Sequence, residues 1–136
     1  MKEYVLDANA LVRLFRNAPG AETVDDLVRQ AKSGRAHLSI SVVSLTEVLY
    51  VLAHYFGQEK ALFCVDKARR VADSVSVDEQ IAIDTGILHI RYKLGLADGF
   101  AAELAMRTGA TLVTADPEFA KLGKQLKILA LPRHKK

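Results

Sequence analysis

Short apolar runs and longer stretches of helical periodicity alternate along the chain. The first run, Glu3-Tyr4-Val5-Leu6, reads as a strand halted at Asp7. Residues 10–16 carry the apolar spacing of a helix that stops before Pro19-Gly20, and residues 22–32 repeat that spacing up to Gly34. A short strand follows over residues 37–40. Ser41 is placed to cap a helix over residues 42–56, Gly57 stops it, and residues 59–72 supply the next helix; both are expected to bury one face. Residues 75–77 read as a strand, and residues 78–94 as a helix whose apolar face is Ile81, Ile83, Ile87, Leu88 and Ile90, closed by Gly95. Leu96-Ala97-Asp98 opens a helix ending at Gly109, and residues 110–115 form a strand. Pro117 suits the first turn of a short helix, and residues 127–131 give a final strand.

Parallel neighbours in a sheet need crossover connections of about a dozen residues or more, and helices of that length separate most of these strands. The pattern therefore predicts an α/β fold, a central parallel sheet flanked by helices on both faces. No repeat and no low-complexity linker interrupts it, so residues 1–136 are expected to form one domain.

Composition narrows the class. A chain of 136 residues, 50% of them hydrophobic, can bury a real core. No apolar stretch reaches the roughly 20 residues of a membrane helix, and the apolar run after Met1 is too short for a signal peptide. The expected location is the cytoplasm, with no membrane partner. Cys64 is the only cysteine, which leaves no internal disulfide and no thiolate zinc cluster, so it is expected to pack as a small apolar residue. The formal charge of +3 hides an uneven distribution: residues 1–120 hold 13 basic and 16 acidic side chains, and residues 121–136 hold 6 basic and none acidic. Lys121, Lys124, Lys127, Arg133, Lys135 and Lys136 thus form a basic tail that either holds phosphates or is simply solvated.

The candidate chemistry is acidic. Asp7 and Asp116 emerge from apolar strands, Asp98 stands at a helix start, and Glu47 lies within a helix rich in Val, Leu and Tyr. An α/β sheet collects strand ends at one crevice. Carboxylates gathered there repel one another, and a hard cation held through oxygen ligands neutralises them, so the expectation is one acidic pocket holding Mg²⁺ or Mn²⁺. Asn9 is the natural partner of Asp7, and Ser44 and Thr46 are candidate donors to Glu47. Each acid also has a plainer role, as an N-cap for Asp7, Asp98 and Asp116, or on a solvated helix stripe for Glu47.

Other chemistries fit less well. The glycines form neither a phosphate-cradling loop nor a dinucleotide fingerprint, and no Ser, His and Asp set has a nucleophile elbow. His37, His54, His89 and His134 are dispersed, without the spacing of paired metal ligands, and read as surface or packing residues. An aspartate after the first strand also suits a phosphoacceptor or phosphohydrolase, although Asn9 leaves it without an Asp-x-Asp pair.

Four segments, Val5-Leu6-Asp7-Ala8-Asn9, Ser41-Val42-Val43-Ser44-Leu45-Thr46-Glu47, Leu96-Ala97-Asp98-Gly99-Phe100 and Val113-Thr114-Ala115-Asp116-Pro117-Glu118-Phe119, resemble in order, type and spacing the signature segments of PIN-domain ribonucleases. The resemblance covers essentially the full chain and is greatest to the VapC-type toxins of prokaryotic toxin–antitoxin pairs. It implies a three-layer α/β/α domain, Mg²⁺- or Mn²⁺-dependent cleavage of RNA, a homodimer, and inhibition by a cognate VapB-type antitoxin. By position it implies Asp7 and Asp98 as main metal ligands, Asp116 as a further ligand directly or through water, and Glu47 as a ligand or an orienter of the attacking water. Asn9 and Thr114 would support that shell. Arg13, Arg16, Lys93 and Arg107 are candidates to receive the polyanion. The acidic quartet is complete, and Gly99 stands where the family often has alanine. The alternatives are an RNA-processing nuclease that is not a toxin, and a non-catalytic RNA or protein interaction module whose helices at residues 42–56 and 59–72 form its binding surface.

Overall fold

The computed structural model describes residues 1–133. Five strands, β1 (Lys2–Leu6), β2 (Ala36–Ser41), β3 (Asp73–Val75), β4 (Thr111–Thr114) and β5 (Lys127–Ala130), pair in parallel in the order β3-β2-β1-β4-β5. Six helices, α1 (Ala8–Arg16), α2 (Ala21–Lys32), α3 (Val42–Phe56), α4 (Gln58–Val71), α5 (Glu79–Tyr92) and α6 (Leu96–Thr108), and a 3₁₀ segment, Pro117–Gln125, connect them. Gly123, at φ 59°, breaks that segment in two, a left-handed conformation that glycine adopts without penalty.

Alternation along the central strands divides the interior between two faces. Leu6, Leu38, Ile40 and Val113 join the core formed with α1 to α4, whereas Val5 and Leu112 join the core formed with α5, α6 and the 3₁₀ segment. The result is a three-layer α/β/α fold, and a strand covered on both sides reads as a continuous apolar run because neither face meets water. Cys64 is buried in the first core, as its solitary occurrence suggested. No described helix is long and apolar enough to cross a membrane.

Two sequence expectations are corrected. β3 lies at residues 73–75 rather than 75–77, because Asp73 and Ser74 complete the pairing with Ser39 and Ile40 although neither is apolar. Of the apolar face assigned to α5, Leu88 is buried as expected, but Ile83, Ile87 and Ile90 are 52%, 42% and 78% exposed, and Thr85 docks beside Leu88.

His37 lies between Glu3 and Asp73 on three adjacent strands, with ring nitrogens 2.7 and 2.6 Å from the two carboxylates. Asp73 first and Glu3 second push its pKa above the usual histidine value. His89 Nδ1 bonds the Leu94 carbonyl, and His54 packs edge-on against Tyr55. His134, Lys135 and Lys136 lie outside the described residues.

Candidate active site

From β1 the chain runs outward to β2 and β3 on one side of the sheet and reaches β4 and β5 on the other. The carboxyl ends of β1 and β4 therefore flank the crevice where an open α/β sheet binds its ligand. Asp7 follows Leu6 directly, Thr114 is the last residue of β4, and Asp116 lies two residues further on. α3 and α6 pack together beside this crevice and bring Glu47 and Asp98 toward it.

Asp7 is 1% exposed and held from several directions. Its Oδ1 accepts from the Ala8 amide at 2.9 Å, and its Oδ2 accepts from Asn9 Nδ2 at 2.9 Å and from Thr114 Oγ1 at 2.8 Å. Asn9 Nδ2 also reaches Thr114 Oγ1 at 3.1 Å, and its Oδ1 accepts from the Ala115 amide at 3.0 Å. Thr114 Oγ1 further accepts from the Asp116 amide at 3.0 Å. One small network thus locks the ends of β1 and β4 to each other. A carboxylate offers about four lone-pair positions, of which three are taken here, leaving one on Oδ1 for a further partner. So enclosed a carboxylate is poorly placed to attack a phosphorus atom, which counts against the phosphoacceptor reading.

Capping and clustering coexist. Asp7 caps α1, and Asp116 Oδ1 caps the 3₁₀ segment by accepting from the Glu118 amide at 2.9 Å. Asp98 does not cap: Gly95 holds that position, and Asp98 sits in the first turn of α6. The neighbouring Gly99 explains a departure from the family pattern, since a Cβ there would lie 3.0 Å from Thr85 Cγ2 on α5. Neither Ser44 nor Thr46 donates to Glu47, and the Ser44 hydroxyl is buried without a partner.

The acids are buried in part and feel one another's charge. Burial first, and the charge of Asp98 next, push Asp7 up to about 7. Burial, the Asp116 and Glu47 charges and a hydrogen bond shared with Asp116 push Asp98 up to about 6. Glu47 is raised by burial and by Asp116. These are the shifts expected of carboxylates held close to one another in a partly dry crevice. Among the described residues no three His, Cys, Asp or Glu side chains converge closely enough to ligate a metal ion as they stand. The donor set nevertheless suits one: it is all oxygen, Asp7 retains an open lone pair, and the repulsion that adds to burial in raising these pKa values is what a hard divalent cation relieves.

The basic candidates divide. Arg13 donates to the carbonyls of Pro19 at 2.8 Å and Pro132 at 2.5 Å, and Arg107 pairs with Glu103 at 2.9 Å, so both have structural partners. Arg16 stacks over the Tyr55 ring, and Lys93 ends α5 in a left-handed conformation. A groove lined by Val43, Glu47, Tyr50, Leu96 and Ala97 adjoins the acids and was not anticipated from the sequence. Its signal was the spacing of Val43, Glu47 and Tyr50 at i, i+4 and i+7, one stripe of a helix.

The PIN domain profile matches residues 4–125. No curated protein sequence matches the chain. In shape the chain is similar to VapBC2 from Rickettsia felis bound to a DNA fragment from their promoter, with a TM-score of 0.75 and 21% identity over 94% of this chain and 98% of that one. It is similar to DNA-bound VapBC from Salmonella typhimurium, with a TM-score of 0.73 and 21% identity over 96% and 98%. VapBC-1 from nontypeable Haemophilus influenzae gives 0.70 and 20% over 94% and 97%. At such identities these likenesses carry the fold.

Proposed function

We propose, because the chain belongs to the PIN domain family, that it is a divalent-metal-dependent endoribonuclease and the toxin of a VapBC-type pair. The family implies nuclease activity. The observation that supports the metal-dependent reading is the all-oxygen crevice in which buried Asp7, raised to about 7, is coupled to Asp98, raised to about 6. The toxin assignment draws on the VapBC structures whose fold the chain shares.

In this reading Asp7 and Asp98 hold Mg²⁺ or Mn²⁺, Asp116 adds a ligand directly or through water, and Glu47 is a ligand or orients the attacking water. The bound cation supplies an acidified water, a hold on the scissile phosphate and compensation for charge on the leaving oxygen. Thr114 and Asn9 fix the orientation of Asp7, since each donates to its Oδ2. Asp116 spends Oδ1 on the Glu118 amide and keeps Oδ2 for the site. Wild-type protein is expected to cleave a labelled structured RNA, such as a tRNA pool, in Mg²⁺ or Mn²⁺ and to stop in chelator. Cleavage that persists undiminished in chelator would overturn the metal-dependent reading.

A homodimer and a VapB-type antitoxin are the proposed protein partners. The supporting observation is apolar surface left open: Ile83, Ile87 and Ile90 form one stripe of α5, while Leu62 and Phe63 are exposed on α4. A one-sided stripe of this kind suits a second helix. Ile87→Glu is expected to shift the protein from dimer to monomer in light scattering at micromolar concentration. A wild type that is already monomeric there rules out the homodimer. The interaction-module reading also draws on these faces, and it coexists with the nuclease.

A further inference from the structure

We infer that the groove between α3 and α6 holds one unstacked base of the RNA beside the scissile phosphate, with the Tyr50 ring as its stacking surface; this rests on the nuclease reading above. The groove has a volume of about 460 Å³, within the range of small-ligand clefts. It shares Glu47 with the acidic crevice, and Ala97 in its wall precedes Asp98. A strand whose phosphate reaches the acids therefore lays a neighbouring nucleoside across it.

The chemistry of the walls selects the base. Tyr50 is 62% and Leu96 73% exposed, so a large ring and a branched aliphatic chain stand open to solvent at the rim of the site. The only charged side chain among the lining residues is Glu47, which repels a phosphate and tolerates an uncharged ring. An aromatic side chain that faces solvent beside a cleavage site is the usual platform for a splayed base, because every base has a π face to stack. A protein seated here would shut Glu47 away from water and close the acids to substrate, which describes an inhibited state, so during cleavage the groove is left to the RNA.

The test is a cycle between protein and RNA. Wild type, Tyr50→Ala and Tyr50→Phe are compared on a cleaved RNA and on versions lacking the base at each nucleotide flanking the cut. Tyr50→Ala is expected to raise KM on the order of tenfold, up to ~100-fold, with kcat unchanged, and Tyr50→Phe to behave as wild type. Removing one flanking base should cost the wild type a similar factor and cost Tyr50→Ala nothing more. Losses that multiply, a Tyr50→Ala protein equal to wild type, or one that turns from dimer to monomer would overturn the inference, the last by seating a second copy in the groove. A wild type that cleaves while Tyr50 has no effect sinks only the base subsite. A wild type that cleaves no RNA sinks the nuclease reading and the subsite with it.

Discussion

Asp98→Asn is expected to lose cleavage by on the order of 10³-fold and yet to melt a few degrees higher than wild type in chelator at neutral pH. The loss follows if Asp98 is a main metal ligand. The gain follows from linkage. A carboxylate whose pKa rises from 3.8 to about 6 on folding binds its proton more tightly in the folded state, so its cost is absent below about pH 4. That cost grows as pH rises toward 6 and is complete above it. Asparagine never pays it and can donate to Asp116. The gap between variant and wild type should therefore open from pH 4 to 7 in thermal melts, and it should be modest because Asp98 is half-exposed. Asp98 is a cleaner probe than Asp7, where asparagine would turn an amide against the Asn9 donor that the carboxylate now accepts. An inactive variant that melts lower than wild type at pH 7 would show that Asp98 is structurally required instead.

Thr114→Val is expected to lower stability by ~2–4 kcal/mol, on the order of 10 °C in Tm, and cleavage by ~10–100-fold. Valine matches threonine in shape, so no cavity opens and the whole effect comes from one oxygen. That oxygen donates to Asp7 Oδ2 and accepts from Asn9 Nδ2 and the Asp116 amide. Without it two donors lose a partner, and Asp7 loses a bond that holds its pKa down. Thr114→Ser should restore both stability and rate. Thermal melts and single-turnover cleavage check this, and a valine variant as stable and active as wild type would contradict it.

The parts of the fold that could be read from the sequence are those where burial decides. β1 and β4 are sheathed on both faces, so Val5, Leu6, Leu112 and Val113 announce themselves. Ser41 and Gly57 bracket α3 as their capping chemistry dictates. β3 carries little trace in the sequence because an exposed three-residue edge strand has no apolar signal, and only pairing with β2 defines it. α5 misled for the opposite reason: its isoleucine stripe is apolar, and the single chain has nothing to put against it. Among the acids, residue type and placement at element ends marked the candidates. That Gly95 takes the cap beside Asp98 is set by the local backbone where α6 begins, and that Thr114 is the hinge between Asp7 and Asp116 depends on β4 lying next to β1, neither of which residue type alone reveals.

Asp7 and Thr114 are separated by 107 positions. The crevice therefore cannot exist until β4 has docked beside β1, after β2, β3 and all six helices have been synthesised. Closures this distant in sequence are slow. A nascent chain that stops short of β4 carries Asp7, Glu47 and Asp98 but neither Thr114 nor Asp116, so a nuclease built this way is inert throughout most of its own translation.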